Sequence, residues 1–325
     1  MAGHLAGLLA RTQSSLSFSN HHRGTAWTAP ADIGILPRPD RESINFSKSL
    51  REAQKTATVR GLATSNSKAS HLVSLAWSTG YLGWPRKIQK LVEGRHVFDF
   101  GSGRSLHGVG YMLAGALSYL GYDPMMDFSM SSVKNKHSGK LEDIGVPLEA
   151  LTAEFKNLSF TSSLGPKHLH RKFGTVVMHN VSEHVSSLEA ALRVCWELLD
   201  RDGFLVIHHH NYYSWDGHHC QPKLESQVDL NEESHREVAD WAHVTFDPPA
   251  GHPIRTSTLN RIRLDDFRVG VEEFFEVEFW REVPSPVGKG GGRVSKIPGP
   301  LLKLYSPREL TVKNVLLVAR PRTRS

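Results

Sequence analysis

Cysteine is nearly absent from the 325-residue chain: Cys195 and Cys220 are the only two, which excludes a disulfide scaffold and suits a reducing compartment. No apolar run approaches the roughly 20 residues needed to cross a bilayer, so a membrane-spanning helix is not expected. A Cys-x-x-Cys pair is missing, and Gly290-Gly-Gly292 lacks the Gly-Lys-Ser/Thr context of a phosphate loop, so it reads as a source of flexibility. No internal repeat is visible. The apolar residues 1–10 have no basic stretch ahead of them, which argues against a secretory signal, and no acid precedes Asp32. Residues 1–70 therefore read as an irregular, flexible extension rich in Ser, Thr and His. A cytoplasmic location is expected, with an organellar matrix the alternative if that extension is a transit peptide.

Acidic residues are scarce at both ends. Residues 1–72 carry nine Lys/Arg against four Asp/Glu, and residues 281–325 carry ten against two, so the net charge of +6 conceals a mildly acidic middle. The basic residues stand singly, without a dense run or an interleaved aromatic stripe. That favours solubilising ends over a nucleic-acid footprint. With 39% hydrophobic and 22% charged residues, the composition is that of a globular protein long enough for one large α/β domain with extensions.

What is there is organised around Val97-Phe-Asp-Phe-Gly-Ser-Gly-Arg-Ser105 and its continuation to Leu120-Gly-Tyr-Asp-Pro124. The apolar residues 97–100 suit a strand buried on both faces. Gly101 and Gly103 follow, where a missing Cβ allows a tight turn and close approach of a ligand to the main chain. Residues 106–113 can form a short helix whose first N–H groups point back at that ligand. A second apolar run, 116–122, ends on Asp123, where a ribose diol needs a hydrogen-bond acceptor. A dinucleotide fingerprint requires a third glycine where Leu106 stands, which disfavours a nicotinamide-dependent oxidoreductase.

The pattern Asp99-x-Gly101-x-Gly103-x-Ser105 resembles motif I of the class I S-adenosylmethionine-dependent methyltransferases, with Ser105 in place of the last glycine. Phe173-Gly-Thr-Val-Val-Met-His-Asn-Val-Ser-Glu-His-Val185 resembles the fourth strand of that family and the Glu-His-Val loop after it. Leu199-Asp-Arg-Asp-Gly203 is similar to the family's turn before the fifth strand, here residues 204–207. The resemblance spans residues 97–215. It implies a doubly wound, Rossmann-like seven-stranded sheet with an antiparallel C-terminal strand, and S-adenosyl-L-methionine as cofactor. Asp99, Gly101, Gly103, Ser105, Asp123 and Asn180 are then the cofactor-binding candidates. Two departures stand out: Gly174 where relatives have an acid, and Ser162-Ser163 where many place an acid on adenine.

The stretch His208-His-His-Asn-Tyr-Tyr-Ser-Trp-Asp-Gly-His-His-Cys220 holds five histidines within 13 residues. Alternation along a strand turns His208 and His210 one way and His209 the other. No acidic partner or Cys-x-x-Cys pair completes a tetrahedral set, so no metal is expected. The preferred reading is a loop over the carboxyl edge of the sheet, where ligands of open α/β sheets bind, with Tyr212, Tyr213 and Trp215 walling a substrate pocket. Methyl transfer to a hydroxyl or ammonium needs a proton acceptor, and His184 and His210 are the candidates, with Glu183 as an orienting acid.

The remaining elements follow from periodicity. Leu72, Val73, Leu75, Ala76, Tyr81 and Leu82 fit a helix broken by Trp84-Pro85, whose aromatics, with Trp77 and Tyr81, could cover a cofactor or simply pack the core. A third strand is expected at Leu158-Ser-Phe-Thr161. Helices are expected over 187–199 and 259–271, and strands over 274–280 and 311–319, joined by a mobile loop, 284–307. Residues 216–258 read as an insertion or lid within a methyltransferase domain of 71–325. Asp247-Pro-Pro-Ala250 ends in alanine where an amino-group methyltransferase needs a stacking aromatic, so it reads as a loop breaker and a nucleic-acid substrate is disfavoured. The expected activity is methyl transfer to a small-molecule or glycan-type acceptor. The alternatives are a non-catalytic member of the fold that binds the cofactor or serves as an interaction module, and the NAD-dependent oxidoreductase.

Overall fold

The computed structural model describes residues 67–129, 132–134, 143–247 and 259–323. The expected N-terminal extension and the Asp247-Pro-Pro-Ala250 breaker lie wholly or largely outside these. Nine strands are described: β1 (His96–Phe100), β2 (Ser118–Tyr122), β3 (Ser132–Lys134), β4 (Asp143–Pro147), β5 (Leu158–Thr161), β6 (Phe173–His179), β7 (Leu199–His210), β8 (Phe275–Pro284) and β9 (Val312–Pro321). Seven of them form one sheet in the order β5-β2-β1-β6-β7-β9-β8, and β3-β4 is a separate two-stranded sheet. Counted in chain order within the large sheet, this is 3-2-1-4-5-7-6. β1 runs parallel to β2 and to β6, β2 runs parallel to β5, and β8 and β9 are antiparallel. This is the Rossmann-like α/β sheet, closed by an antiparallel C-terminal pair, that the motif order implied.

The chain divides into two compact units. Among the described residues, one comprises those of 67–177 and 197–205, the other those of 178–196 and 206–323. In the first, β2 is buried at every position, as a strand covered on both faces must be. Phe98 stacks on Tyr122 with ring centroids 5.9 Å apart and meets Phe173 at 5.3 Å. The N-terminal helical region is three pieces: α1 (Ser67–Ser78), α2 (Gly83–Lys87) and α3 (Gln89–Val92). Trp84-Pro85 opens α2 rather than only ending a helix, since proline is tolerated in a first turn where its missing N–H has no intrahelical partner. Tyr81 and Trp84 are buried, and Tyr81 lies edge-on to His107 at 5.0 Å, so these aromatics pack the core. The helix after the glycine turn is α4 (His107–Leu113).

Helix α5 (Leu188–Leu198) buries Leu188, Ala191, Leu192, Cys195 and Leu198, so Cys195 is a core residue. The expected turn at 199–203 is strand: β7 starts at Leu199 and runs 12 residues. Helix α6 (Leu264–Phe274) begins five residues later than its periodicity suggested, with Asp265 and Asp266 in the first turn, where acids complement the helix dipole. The 284–307 connection is built rather than loose. It contains a 3-10 turn, Gly291–Lys296, and a helix, Gly299–Leu304. The Glu225 carboxylate accepts from the N–H groups of Gly290 at 2.7 Å and Gly292 at 3.0 Å. Gly290 sits at φ +105°, and a Cβ there would lie 2.3 Å from Trp215 Cβ. These glycines serve close packing, not flexibility.

Candidate functional site

The turn leaving β1 is stitched to the end of β2. Gly101 and Gly103 adopt φ of +75° and +54°, the left-handed region that glycine enters without steric cost. The N–H groups of Gly101 and Ser102 donate to the Tyr122 carbonyl at 2.7 and 3.1 Å. Gly103 N–H donates to Asp123 Oδ2 at 3.1 Å, and Met125 N–H to Asp123 Oδ1 at 3.0 Å. Asp99 is buried beneath, accepting from Tyr119 Oη at 2.8 Å. Burial pushes its carboxyl up to about 7, against the Tyr119 hydrogen bond and with the Asp123 charge adding to the rise. Ser105 Oγ accepts from His107 N–H at 3.3 Å at the start of α4. The structure thus brings Gly101, Gly103 and Asp123 together around one turn, with Asp99 below and Ser105 at its exit. Ser162 and Ser163 lie exposed just after β5.

The loops after β6 and β7 form a second arrangement, within the other unit. Asn180, at φ +56°, donates its N–H to the His208 carbonyl at 2.9 Å and meets His208 Nδ1 through Oδ1 at 2.5 Å. Asn260 clamps the following turn: its Nδ2 donates to the carbonyls of Ser182 at 2.7 Å and Val185 at 3.1 Å, and its N–H to that of Glu183 at 2.8 Å. The strand alternation holds. His208 and His210 line a cavity of about 500 Å³ together with Asn180, Glu183, His184 and His219. His209 points the other way, meeting Ser182 Oγ through Nδ1 at 2.9 Å and stacking on Phe267 at 4.2 Å.

Electrostatically this cavity is under-satisfied. Glu183 is 1% exposed and neither carboxylate oxygen has a hydrogen-bond partner. Burial pushes its carboxyl up to about 8, although nearby donors in Ser182 and the backbone of Glu183 and His210 pull the other way without reaching hydrogen-bond geometry. His210 and His219 are held neutral, pushed down to about 3 by burial first and by neighbouring positive charge second. His210 Nδ1 contacts His219 Nε2, and His210 Nε2 faces Asp216 Oδ1 at 3.5 Å. Lys313, pushed down to about 8 by burial, pairs with Asp216 Oδ2.

Glu183, His184, His210 and Asn180 therefore share one cavity. The aromatics expected to wall it do not: Tyr212, Tyr213 and Trp215 are buried in a core cluster with Trp241, Leu301 and Leu310. The two tyrosine hydroxyls explain their part of the difference, since Tyr212 donates to the His243 carbonyl and Tyr213 to the Arg261 carbonyl, both at 2.9 Å. Sequence reasoning missed Asp216, Lys223, Lys313 and Asn314 as cavity residues. Lys313 and Asn314 reach it from β9, about a hundred positions away, and no local pattern signals that.

No protein-family profile matches the chain, and no curated protein matches it. Among solved structures, an S-adenosylmethionine-dependent methyltransferase from Mesorhizobium loti is 14% identical, covering 71% of this chain and 92% of that one, with a TM-score of 0.42. The PH0226 protein from Pyrococcus horikoshii is 12% identical, covering 77% and 92%, with a TM-score of 0.44. At such values the fold assignment rests on the strand order itself: a Rossmann-like sheet of order 3-2-1-4-5-7-6 closed by an antiparallel hairpin.

Proposed function

We propose that the chain is an S-adenosylmethionine-dependent methyltransferase acting on a small-molecule or glycan-type acceptor. The observation that carries this reading is the joining of the glycine turn to the acid closing β2, through Gly103 N–H and Asp123 Oδ2 at 3.1 Å. Each Asp123 oxygen accepts one backbone N–H and keeps a further lone pair, which suits a vicinal diol. Backbone at positive φ in Gly101 and Gly103 leaves the main chain uncovered for close approach of a nucleoside, with Asp99 and Ser105 fixing the turn from below and behind. Asn180, at the carboxyl end of β6, is the remaining cofactor candidate. When bound, S-adenosylmethionine supplies a methyl group made electrophilic by its sulfonium.

The chain's own part is to orient the acceptor and remove its proton. Positioning alone can contribute several kcal/mol, on the order of 7–11 where alignment is complete. His184 and His210 are the proton acceptors of the cavity. His210 is held neutral by burial, so one of its ring nitrogens can accept, and Glu183, whose own carboxyl burial pushes up to about 8, is the orienting acid beside them. The two thiols are unpaired, which fits a reducing compartment such as the cytoplasm, and no helix among the described residues is long and apolar enough to cross a membrane.

Calorimetric titration of the full chain with S-adenosylmethionine and with NAD tests the reading. Saturable binding of the first and none of the second is expected. Binding of NAD alone would assign the turn to the oxidoreductase class instead. Cofactor binding without turnover across a broad acceptor panel would favour a non-catalytic module.

A further inference from the structure

We propose that Glu183, His210 and His219 form a binding site for one divalent transition-metal ion of the zinc class. One ligand atom from each lies within 4.8 Å of the other two. A carboxylate with two imidazoles is a donor set that zinc takes readily, leaving further positions for exchangeable ligands. The independent observation is Glu183 itself. It is 1% exposed and neither oxygen has a partner within hydrogen-bond geometry, and a buried carboxyl group left that way is destabilising. A bound cation would supply the missing partner.

The surroundings prepare the histidines for this role. His210 Nε2 faces Asp216 Oδ1 at 3.5 Å, and Asp216 is held in turn by Lys313. A carboxylate behind a histidine sets which nitrogen carries the proton. At 3.5 Å the Asp216 charge favours the tautomer with its proton on Nε2, without a formed hydrogen bond, and leaves the Nδ1 lone pair, which contacts His219 Nε2, for an ion. A proton shared between His210 and His219 would account for the two rings but would leave both Glu183 oxygens without a partner in hydrogen-bond geometry. The remaining coordination positions open on the cavity of about 500 Å³, so the site suits an exchangeable oxygen ligand rather than a closed structural ion. With the ion in place, Glu183 and His210 act as ligands and His184 is left to take the acceptor's proton. The assignment stands on geometry alone and is tested by binding, separately from methyl transfer.

The test uses the full chain stripped with EDTA and titrated with zinc against a competing chromophoric chelator, with metal content per chain measured afterwards. One tightly held zinc is expected. Glu183→Gln, which keeps the side chain's shape, and His219→Ala should each abolish tight binding, and Asp216→Asn should weaken it about 10–100-fold. His208→Ala, outside the donor set, should leave it unchanged. Cobalt substitution should give visible d–d bands in the parent that Glu183→Gln lacks, with near-ultraviolet circular dichroism confirming that both are folded. Failure of the parent to retain zinc, or zinc binding indifferent to Glu183→Gln and His219→Ala, would overturn the proposal.

Discussion

Asp99 and Asp123, near the ends of β1 and β2, each accept hydrogen bonds, Asp99 from the Tyr119 hydroxyl and Asp123 from two backbone N–H groups. Glu183, after β6, is buried as Asp99 is, and neither of its oxygens has a partner in hydrogen-bond geometry. The contrast separates two kinds of site. The glycine turn is internally complete, with a fixed shape and spare lone pairs suited to recognising neutral hydroxyls. The histidine cavity holds an acid whose donor the protein does not supply, beside imidazoles kept neutral by burial. Buried polar groups left without partners concentrate at functional sites, which makes this cavity the candidate.

The sharpest way to separate the two sites is His184→Ala. It should lower turnover by about 10²–10⁴-fold while leaving S-adenosylmethionine affinity within about twofold, read by steady-state kinetics beside calorimetry. Equal losses in both would mean that the cavity serves the cofactor.

Asp99 sets a pH test of the completed site. Its folded carboxyl titrates near 7 against an ordinary 3.8, so between those values the folded chain keeps a proton that the unfolded chain releases. Stability therefore falls as pH rises through that window and levels off above it, by about 4 kcal/mol. Asp99→Asn, which can still accept from Tyr119, should flatten that slope in chemical denaturation from pH 4 to pH 8. An unchanged slope would place the buried proton elsewhere.

Asp123→Ala should weaken S-adenosylmethionine binding about 100-fold, the equivalent of roughly 2–3 kcal/mol for hydrogen bonds to a charged acceptor. Affinity equal to the parent's would remove Asp123 from the sugar. The smallest expected effect lies away from both sites. Gly290→Ala should destabilise by about 1–3 kcal/mol, through its clash with Trp215, with both binding activities intact in the folded fraction.

Much of the fold was legible because its signals are local. The run at Leu158–Thr161 became β5 without change, and β1 and β2 fell within two residues of their apolar runs, since strands buried on both faces leave uninterrupted hydrophobic sequence. The hairpin of β3 and β4 left no such trace: Ser132–Lys134 is three residues long, and Asp143–Pro147 carries a glycine and a proline. The turn after β1 was legible through glycine, whose placement at positive φ follows from chemistry rather than context. The histidine cavity was half legible. Strand alternation separated His208 and His210 from His209, but the acid that partners His210 is Asp216, and the lysine that holds Asp216 comes from β9. The tyrosines misled for a related reason. An aromatic with a hydroxyl reads as a pocket wall until the buried carbonyl that takes its proton is known.

The account depends most on where the nucleoside sugar sits, and a crystal structure of the chain with S-adenosylhomocysteine addresses that directly. It should show both ribose hydroxyls within hydrogen-bond distance of the Asp123 carboxylate, over the turn of Gly101 and Gly103. A nucleoside bound away from that turn, with Asp123 still engaged only by Gly103 and Met125, would contradict it.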